Sequence, residues 1–261
     1  MKALHIAATG MMAQELNVEL ISNNIANMRT TGFKRQRADF QDLLYSSMRR
    51  VGSSTSENGT LLPTGIQIGS GVKTAATPRV MSQGNVQPTQ KQLDIAIKGE
   101  GFFRITTPDG QTAYTRDGSF ERDATGQLVT ADGYVVDPVI TIPANAKDVT
   151  INSLGVVQAI VGTETTPQTL GQIQMARFVN PAGLNPIGDN LFLETEASGT
   201  PQVSTPGDEG YGTLLQAHLE MANVNPVSEI SDLIAAQRAY EMNSRVIRAA
   251  DEMLSSTAQI R

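Results

Sequence analysis

The 261-residue chain contains no cysteine, no tryptophan and two histidines, His5 and His218. The missing thiols exclude disulfides, thiolate metal sites and cysteine nucleophiles together. With so few imidazoles, a Ser-His-Asp triad would have to use one of the two, and neither is accompanied by a Gly-x-Ser-x-Gly elbow. HExxH, a Walker A loop and a dinucleotide-binding glycine fingerprint are absent as well. Gly69-Ser70-Gly71 lies between strand-like residues and does not precede a helix, so it makes a poor phosphate cradle. Aromatics make up 5% of the chain, which disfavours a sugar-binding cleft. No apolar run approaches the roughly 18 residues needed to cross a bilayer. A net charge of -6 and a pI of about 5.0 speak against nucleic acid as a partner, because that needs clustered Lys and Arg.

Acidic residues are numerous but not grouped like ligands. Asp117, Glu121 and Asp123 lack the regular oxygen ligands and closing glutamate of an EF-hand loop. The basic cluster Lys34-Arg35-Gln36-Arg37, with Arg49-Arg50 beyond it, is followed by Asp39 and Asp42, and it reads as a solvated or intersubunit face. The expectation is a non-enzymatic protein that needs no cofactor and no metal.

What is present is a heptad rhythm at both ends. In residues 4–28 one column is Leu4, Met11, Val18 and Ile25, and its neighbour is Ala7, Gln14, Ile21 and Met28. In residues 226–261 the columns are Leu233, Tyr240, Ile247, Leu254 and Ile230, Gln237, Ser244, Asp251, Ala258. Apolar residues at a and d form a seam that requires a partner helix. Asn225-Pro226 supplies a cap and a first-turn proline for the second stretch. The amides of Asn23, Asn24 and Asn27 and the Thr30-Thr31-Gly32 stop end the first. Met1-Lys2 ahead of an apolar stretch has a faint likeness to a secretory leader, but the heptad columns run through it, so we expect it to be retained uncleaved.

Between the ends the period becomes two. Phe33–Tyr45 reads as a short helix or an extended arm. Residues 46–63 read as a long loop or hairpin around Asn58-Gly59. Short alternating strands then follow through Asp109-Gly110, Asp117-Gly118 and Asp132-Gly133, including Val135–Ile142 and a last strand over Thr213–Met221. No helical period intervenes from 65 to 213, which excludes a βαβ arrangement. The predicted fold is α+β: discontinuous N- and C-terminal coiled-coil-like helices flanking a mainly antiparallel β domain. Residues 1–32 and 226–261 form a helical domain, 33–72 a connecting arm with the long loop or hairpin at 45–63, and 73–225 a β domain.

One narrow seam recovers less free energy than ordering two long helices costs. Further apolar residues, Met12, Leu16 and Leu20 on one end and Ile234, Met242, Val246 and Met253 on the other, lie off the seams. Helices apolar on several sides pack among several copies. The residues assigned to intersubunit helix packing are Leu4, Met11, Val18, Ile21, Ile25, Ile230, Leu233, Tyr240, Ile247 and Leu254.

Asn23-Asn24-Ile25-Ala26-Asn27 with Thr30-Thr31-Gly32-Phe33-Lys34 resembles the N-terminal signature of the bacterial flagellar rod and hook proteins. Leu93–Phe103, Tyr114–Phe120, Gly126–Thr130, Ile234–Glu241 and Asp251–Leu254 are similar to the family's later segments, in the same order. Phe33–Tyr45 and Leu62–Gly69 are most like the distal-rod branch. Arg29 departs from the usual smaller residue there. The resemblance implies a structural subunit of a helical tube, with 1–32 and 226–261 as the inner helical domain lining a channel and 73–225 as the outer β domain. That homo-oligomer would meet proximal-rod and hook proteins at its ends, the surrounding envelope rings, and the export apparatus. Its place would be the flagellar basal body, spanning the periplasm towards the outer membrane. The resemblance also gives signature residues Asn23, Asn24, Asn27, Gly32 and Phe33, and a stiffening segment with Tyr45, Arg49, Arg50, Asn58 and Pro63. Alternatives are a proximal-rod or hook subunit of the same family, or a carbohydrate-active β protein.

Overall fold

The computed structural model describes residues 2–49, 64–162 and 166–259. The chain forms two compact units. One is built from Met1–Ile25, Gln36–Pro78 and Asn225–Arg261, the other from Ala26–Arg35 and Arg79–Val224. Among the described residues, no helix is long and apolar enough to cross a membrane.

In the first unit, α1 (Lys2–Ala26) and α2 (Pro226–Gln259) run antiparallel. Asn225 starts α2 as expected: its side-chain oxygen accepts the backbone N–H of Val227 at 3.1 Å. The two helices touch through small residues. A Cβ added to Gly10 would lie 2.9 Å from the Asn243 amide nitrogen, while Ala7, Ala13, Ala236 and Ala250 are buried. The arm is extended rather than helical. β1 (Asp39–Asp42) pairs antiparallel with β4 (Val72–Ala76), and β2 (Tyr45–Arg49) pairs with β3 (Ile66–Gly69). Residues 45–49, read as the start of a loop or hairpin, are thus one strand of a ribbon. The Asn58-Gly59 turn lies outside the described residues.

The second unit is antiparallel β. Its strands are β5 (Val86–Pro88), β6 (Ile95–Lys98), β7 (Phe102–Thr106), β8 (Thr112–Thr115), β9 (Glu121–Arg122), β10 (Leu128–Val129), β11 (Val135–Val136), β12 (Ala146–Ile151), β13 (Val156–Val161), β14 (Gln168–Gln172), β15 (Met175–Arg177), β16 (Asn185–Gly188), β17 (Leu191–Leu193), β18 (Gln202–Ser204), β19 (Thr213–Gln216) and β20 (His218–Glu220). The principal sheet runs β16-β17-β8-β7-β11-β10-β9; β15 joins it by pairing with β7, and β18 pairs in turn with β15. β12-β13-β14 form a second sheet. Strand alternation splits the core across β7. Phe103 and Ile105 enter one apolar cluster with Phe120, Ile173 and Met175, while Phe102 enters another with Tyr114, Phe178 and Phe192. Edge-on ring pairs fix both, Phe103 with Phe120 at 5.1 Å and Tyr114 with Phe178 at 4.8 Å between centroids.

Two expected strands are shorter than their apolar patterns suggested. The run Val135–Ile142 contributes only β11, because Pro138 has no N–H to continue a ladder. The run Thr213–Met221 breaks at Ala217, whose φ is +55°, so β19 pairs with β6 and β20 with β5.

Candidate functional site

Among the described residues, the fold builds a buried ionic joint and an exposed helical surface. The joint lies in the β unit, where β20 delivers Glu220 and the segment after α1 delivers Lys34, with 1% exposure each. The Lys34 ammonium lies 2.5 Å from Glu220 Oε1 and also donates to the Ser82 carbonyl at 2.9 Å. The same Oε1 accepts the Gly84 N–H at 2.8 Å, and Oε2 accepts from Arg116 at 3.3 Å. Arg116 donates onward to the Gly99 carbonyl at 2.9 Å and stacks 5.3 Å over Phe102. Burial lowers the pKa of both Lys34 and Arg116 from their ordinary ranges, and the Glu220 charge opposes that shift.

Backbone geometry locks the same place. Gly32 has φ +66°, and a Cβ there would sit 2.6 Å from the Asp117 nitrogen, so only glycine allows this approach. Its N–H donates to the Glu220 carbonyl at 2.8 Å. Asn223 acts as a clasp: its side-chain oxygen accepts the Arg35 N–H at 2.8 Å and its amide donates to the carbonyls of Val80 at 2.8 Å and Ser82 at 3.0 Å. Phe33 is buried beneath Arg79, whose guanidinium also faces Phe192 at 5.7 Å. Gly32 and Phe33 therefore belong to this joint. Lys34, read with its basic neighbours as a solvated or intersubunit face, is instead a core residue. Its partner is 186 positions away, so no local spacing could announce it.

Asn24 makes a second, smaller clasp within the helical unit. Its amide reads the Gln36 backbone from both sides, accepting N–H at 2.9 Å and donating to C=O at 2.9 Å, and it donates to Glu229 at 3.2 Å. Asn27 accepts the Thr30 hydroxyl at 3.2 Å at the helix end, whereas Asn23 is exposed. Asn24 and Glu229 meet, as do Gly10 and Asn243, and each pair is displaced from the other by fourteen residues on both helices. The contact therefore keeps one register over two heptads.

The residues assigned to helix packing divide by exposure. Ile21 is buried, and Leu4, Met11, Val18, Ile25, Leu233 and Ile247 are half-buried. Ile230, Tyr240 and Leu254 are exposed, as are the off-seam residues Met12, Ile234, Met242, Val246 and Met253. The column that α2 buries is Glu229, Ala236 and Ala250, one position before the expected Ile230, Gln237, Ser244 and Asp251. Small side chains admit the close approach, and the larger ones are left outside.

Along the ribbon, Tyr45 and Arg49 are exposed, and the Asp42 carboxylate beside the Tyr45 phenol pushes its pKa up. Arg50, Asn58 and Pro63 lie outside the described residues. The N-terminal turn of α1 and the ribbon enclose a cavity of about 380 Å³ lined by Lys2, His5, Ile6, Ser46, Ile68, Gly69 and Ser70. His218 sits half-buried, with Nδ1 2.7 Å from the Gln216 carbonyl. The carboxylates of the 117–123 run serve separate local turns: Asp117 accepts from Ser119, Glu121 pairs with Lys91 at 3.0 Å, and Asp123 accepts from Thr125.

A locked β unit together with a paired-helix unit that shows large apolar side chains to solvent is the design of a structural subunit. Three family models match in chain order: the flagella basal body rod protein over residues 4–34, the flagellar hook protein FlgE/F/G D1 domain over 96–159, and the flagellar basal body rod FlgEFG protein C-terminal region over 215–260. The chain is 56% identical to the flagellar basal-body rod protein FlgG of Caulobacter vibrioides, covering all of both chains. It is 52% identical to that of Agrobacterium fabrum over 98% of this chain and 97% of the relative. It is 30% identical over both full lengths to the flagellar hook-basal body complex protein FlhP of Bacillus subtilis. The chain belongs to the flagellar basal-body rod protein family, as a structural subunit of the distal rod.

Proposed function

We propose that the chain polymerises into a rigid helical tube that carries motor torque to the hook and forms part of the export channel. Residues 1–32 and 226–261 make the inner, coiled-coil-like wall, residues 73–225 the outer β wall, and the arm at 33–72 the stiffening connection between copies. The intersubunit contacts come from the packing residues named above, with Tyr45, Arg49 and the 50–63 stretch bracing neighbours. Proximal-rod and hook proteins cap the two ends, envelope rings surround the shaft across the periplasm towards the outer membrane, and the flagellar export apparatus delivers the subunits. The mechanism is mechanical and involves no bond making: repeated apolar contacts resist bending and twisting.

The observation that carries this reading is the exposed apolar dress of α2, where Val227 is 74% exposed, Met253 63% and Met242 60%. A lone subunit gains nothing from wetting these side chains, and a contiguous apolar surface marks an interaction face. Electron microscopy of the purified chain at rising concentration should show straight tubes, and hydrogen exchange should protect α1 and α2 strongly only in the tubes. Equal protection of both helices in the monomer would sink assembly-coupled ordering. Deleting residues 45–63 should leave tubes that bend, and a deletion variant as straight as the parent overturns the bracing role.

A further inference from the structure

Resting on that self-assembly reading, we propose that the groove between α1 and α2 is an acidic slot that receives Arg238 and Arg245 of a second copy. The groove is about 400 Å³, with Val18, Gln237 and Tyr240 on its walls and Glu15, Glu19 and Glu241 around it. Its charged lining is wholly anionic. Among the described residues none of these three carboxylates has an ion-pair partner, and neither has Arg238 or Arg245.

The two arginines are exposed one heptad apart on α2. Arg238 lies about 200° around the helix from buried Ala236, on the side facing away from α1. One copy therefore presents the cations on its outside while keeping the slot open beside α1. The spacing also matches. With Gly10 level with Asn243 and Asn24 level with Glu229, Glu241 falls level with Met12, seven residues from Glu19. At 1.5 Å per residue the acidic ends of the slot are about 10.5 Å apart along the axis, and Arg238 and Arg245 are separated by the same rise. Glu15 stands between the two ends and can share either guanidinium. Val18 and the Tyr240 ring displace water from around these pairs, which strengthens them relative to surface pairs.

Glu241 also lies between Arg238 and Arg245 on its own helix, so the test uses the carboxylates of α1. Two variants are compared with the parent by light scattering and electron microscopy: Glu15→Lys with Glu19→Lys, and Arg238→Glu with Arg245→Glu. Each variant alone juxtaposes like charges and should raise the critical concentration for tube growth by roughly tenfold or more. An equimolar mixture of the two, in which each slot meets the opposite charge, should grow again. Circular dichroism and hydrogen exchange on the monomers verify folding. A Glu15→Gln, Glu19→Gln variant gives a second readout, a weaker salt dependence of growth than the parent's. Parent tubes with unaffected reversals, or a folded mixture that fails to grow, overturn the slot alone. A parent that never polymerises overturns the assembly reading and the slot with it.

Discussion

The buried joint of the β unit and the paired helices answer opposite requirements. At the joint, one anion and two cations lie out of water, and both Glu220 oxygens and the Lys34 ammonium are occupied by groups of the same chain. Between the helices the buried positions are chiefly alanines, with Ile21, Asn24 and Glu229, while the largest side chains of α2 face solvent. A region closed on itself fixes one conformation. A region that buries its small residues and exposes its large ones leaves its strongest contacts to be made elsewhere.

Removing the anion should break the contrast most sharply. Glu220→Ala strands Lys34 and Arg116 in the core, and breaking a buried pair in this way costs about 3–5 kcal/mol. Urea unfolding followed by intrinsic tyrosine fluorescence, to which Tyr114, Tyr134 and Tyr211 contribute from the β unit, measures it, and a loss below about 1 kcal/mol would mean that water reaches the joint. Next in size is Asn24→Ala. It leaves the Gln36 N–H and C=O without their side-chain partner and should lower the stability of the helical unit by about 1–3 kcal/mol, seen in thermal melts at 222 nm. Ile234→Ser lies at the other extreme: 46% exposed, it should change monomer stability by no more than about 0.5 kcal/mol while abolishing tube growth. A variant that melts early and still assembles would reverse the comparison.

The smallest effect concerns two surface turns. The Thr125 hydroxyl and nearby N–H groups hold Asp123 below the usual carboxylate range, and the Ser204 and Thr205 hydroxyls do the same for Asp208. A depressed folded value means that the contribution is complete above the unfolded value, near pH 4, and fades as the pH falls through the folded one. Carboxyl carbon shifts followed by NMR should show both groups titrating below the usual aspartate value.

Much of the architecture is legible in the residues themselves. The heptads marked both helices because side chains spaced by three and four share a face, and Asp109-Gly110 and Asp132-Gly133 marked turns because glycine takes the positive φ they need. Asp117-Gly118, read as a turn too, is not one: Gly118 lacks a positive φ and is instead where the backbone passes so close to the Ile95 carbonyl that no Cβ would fit. Four things were not legible. The choice between the Ile230 column and the Glu229, Ala236, Ala250 column depends on how close α1 comes, and a pattern of hydrophobicity favours the larger residue. Lys34 looked like part of a basic surface because its charge is visible in sequence and its partner, on a strand near the far end of the chain, is not. Lys34 and Arg116 lay inside segments similar to the family's signatures, yet only the fold shows that these segments converge on one carboxylate. The arm was readable as extended or helical until the pairing of β1 with β4 fixed it as extended.

The separation of 186 positions between Lys34 and Glu220 has a consequence for timing. A chain delivered from one end as an unfolded thread can form helices and hairpins as it emerges, since those need only near neighbours. The joint cannot close until both sides of that separation have arrived. Until then Lys34, Arg116 and Glu220 remain hydrated, and Gly32 has no carbonyl at position 220 to meet. The β unit is therefore latched late in folding, after the local helices and hairpins have formed, and the latch marks the moment at which a string of separate elements becomes one body.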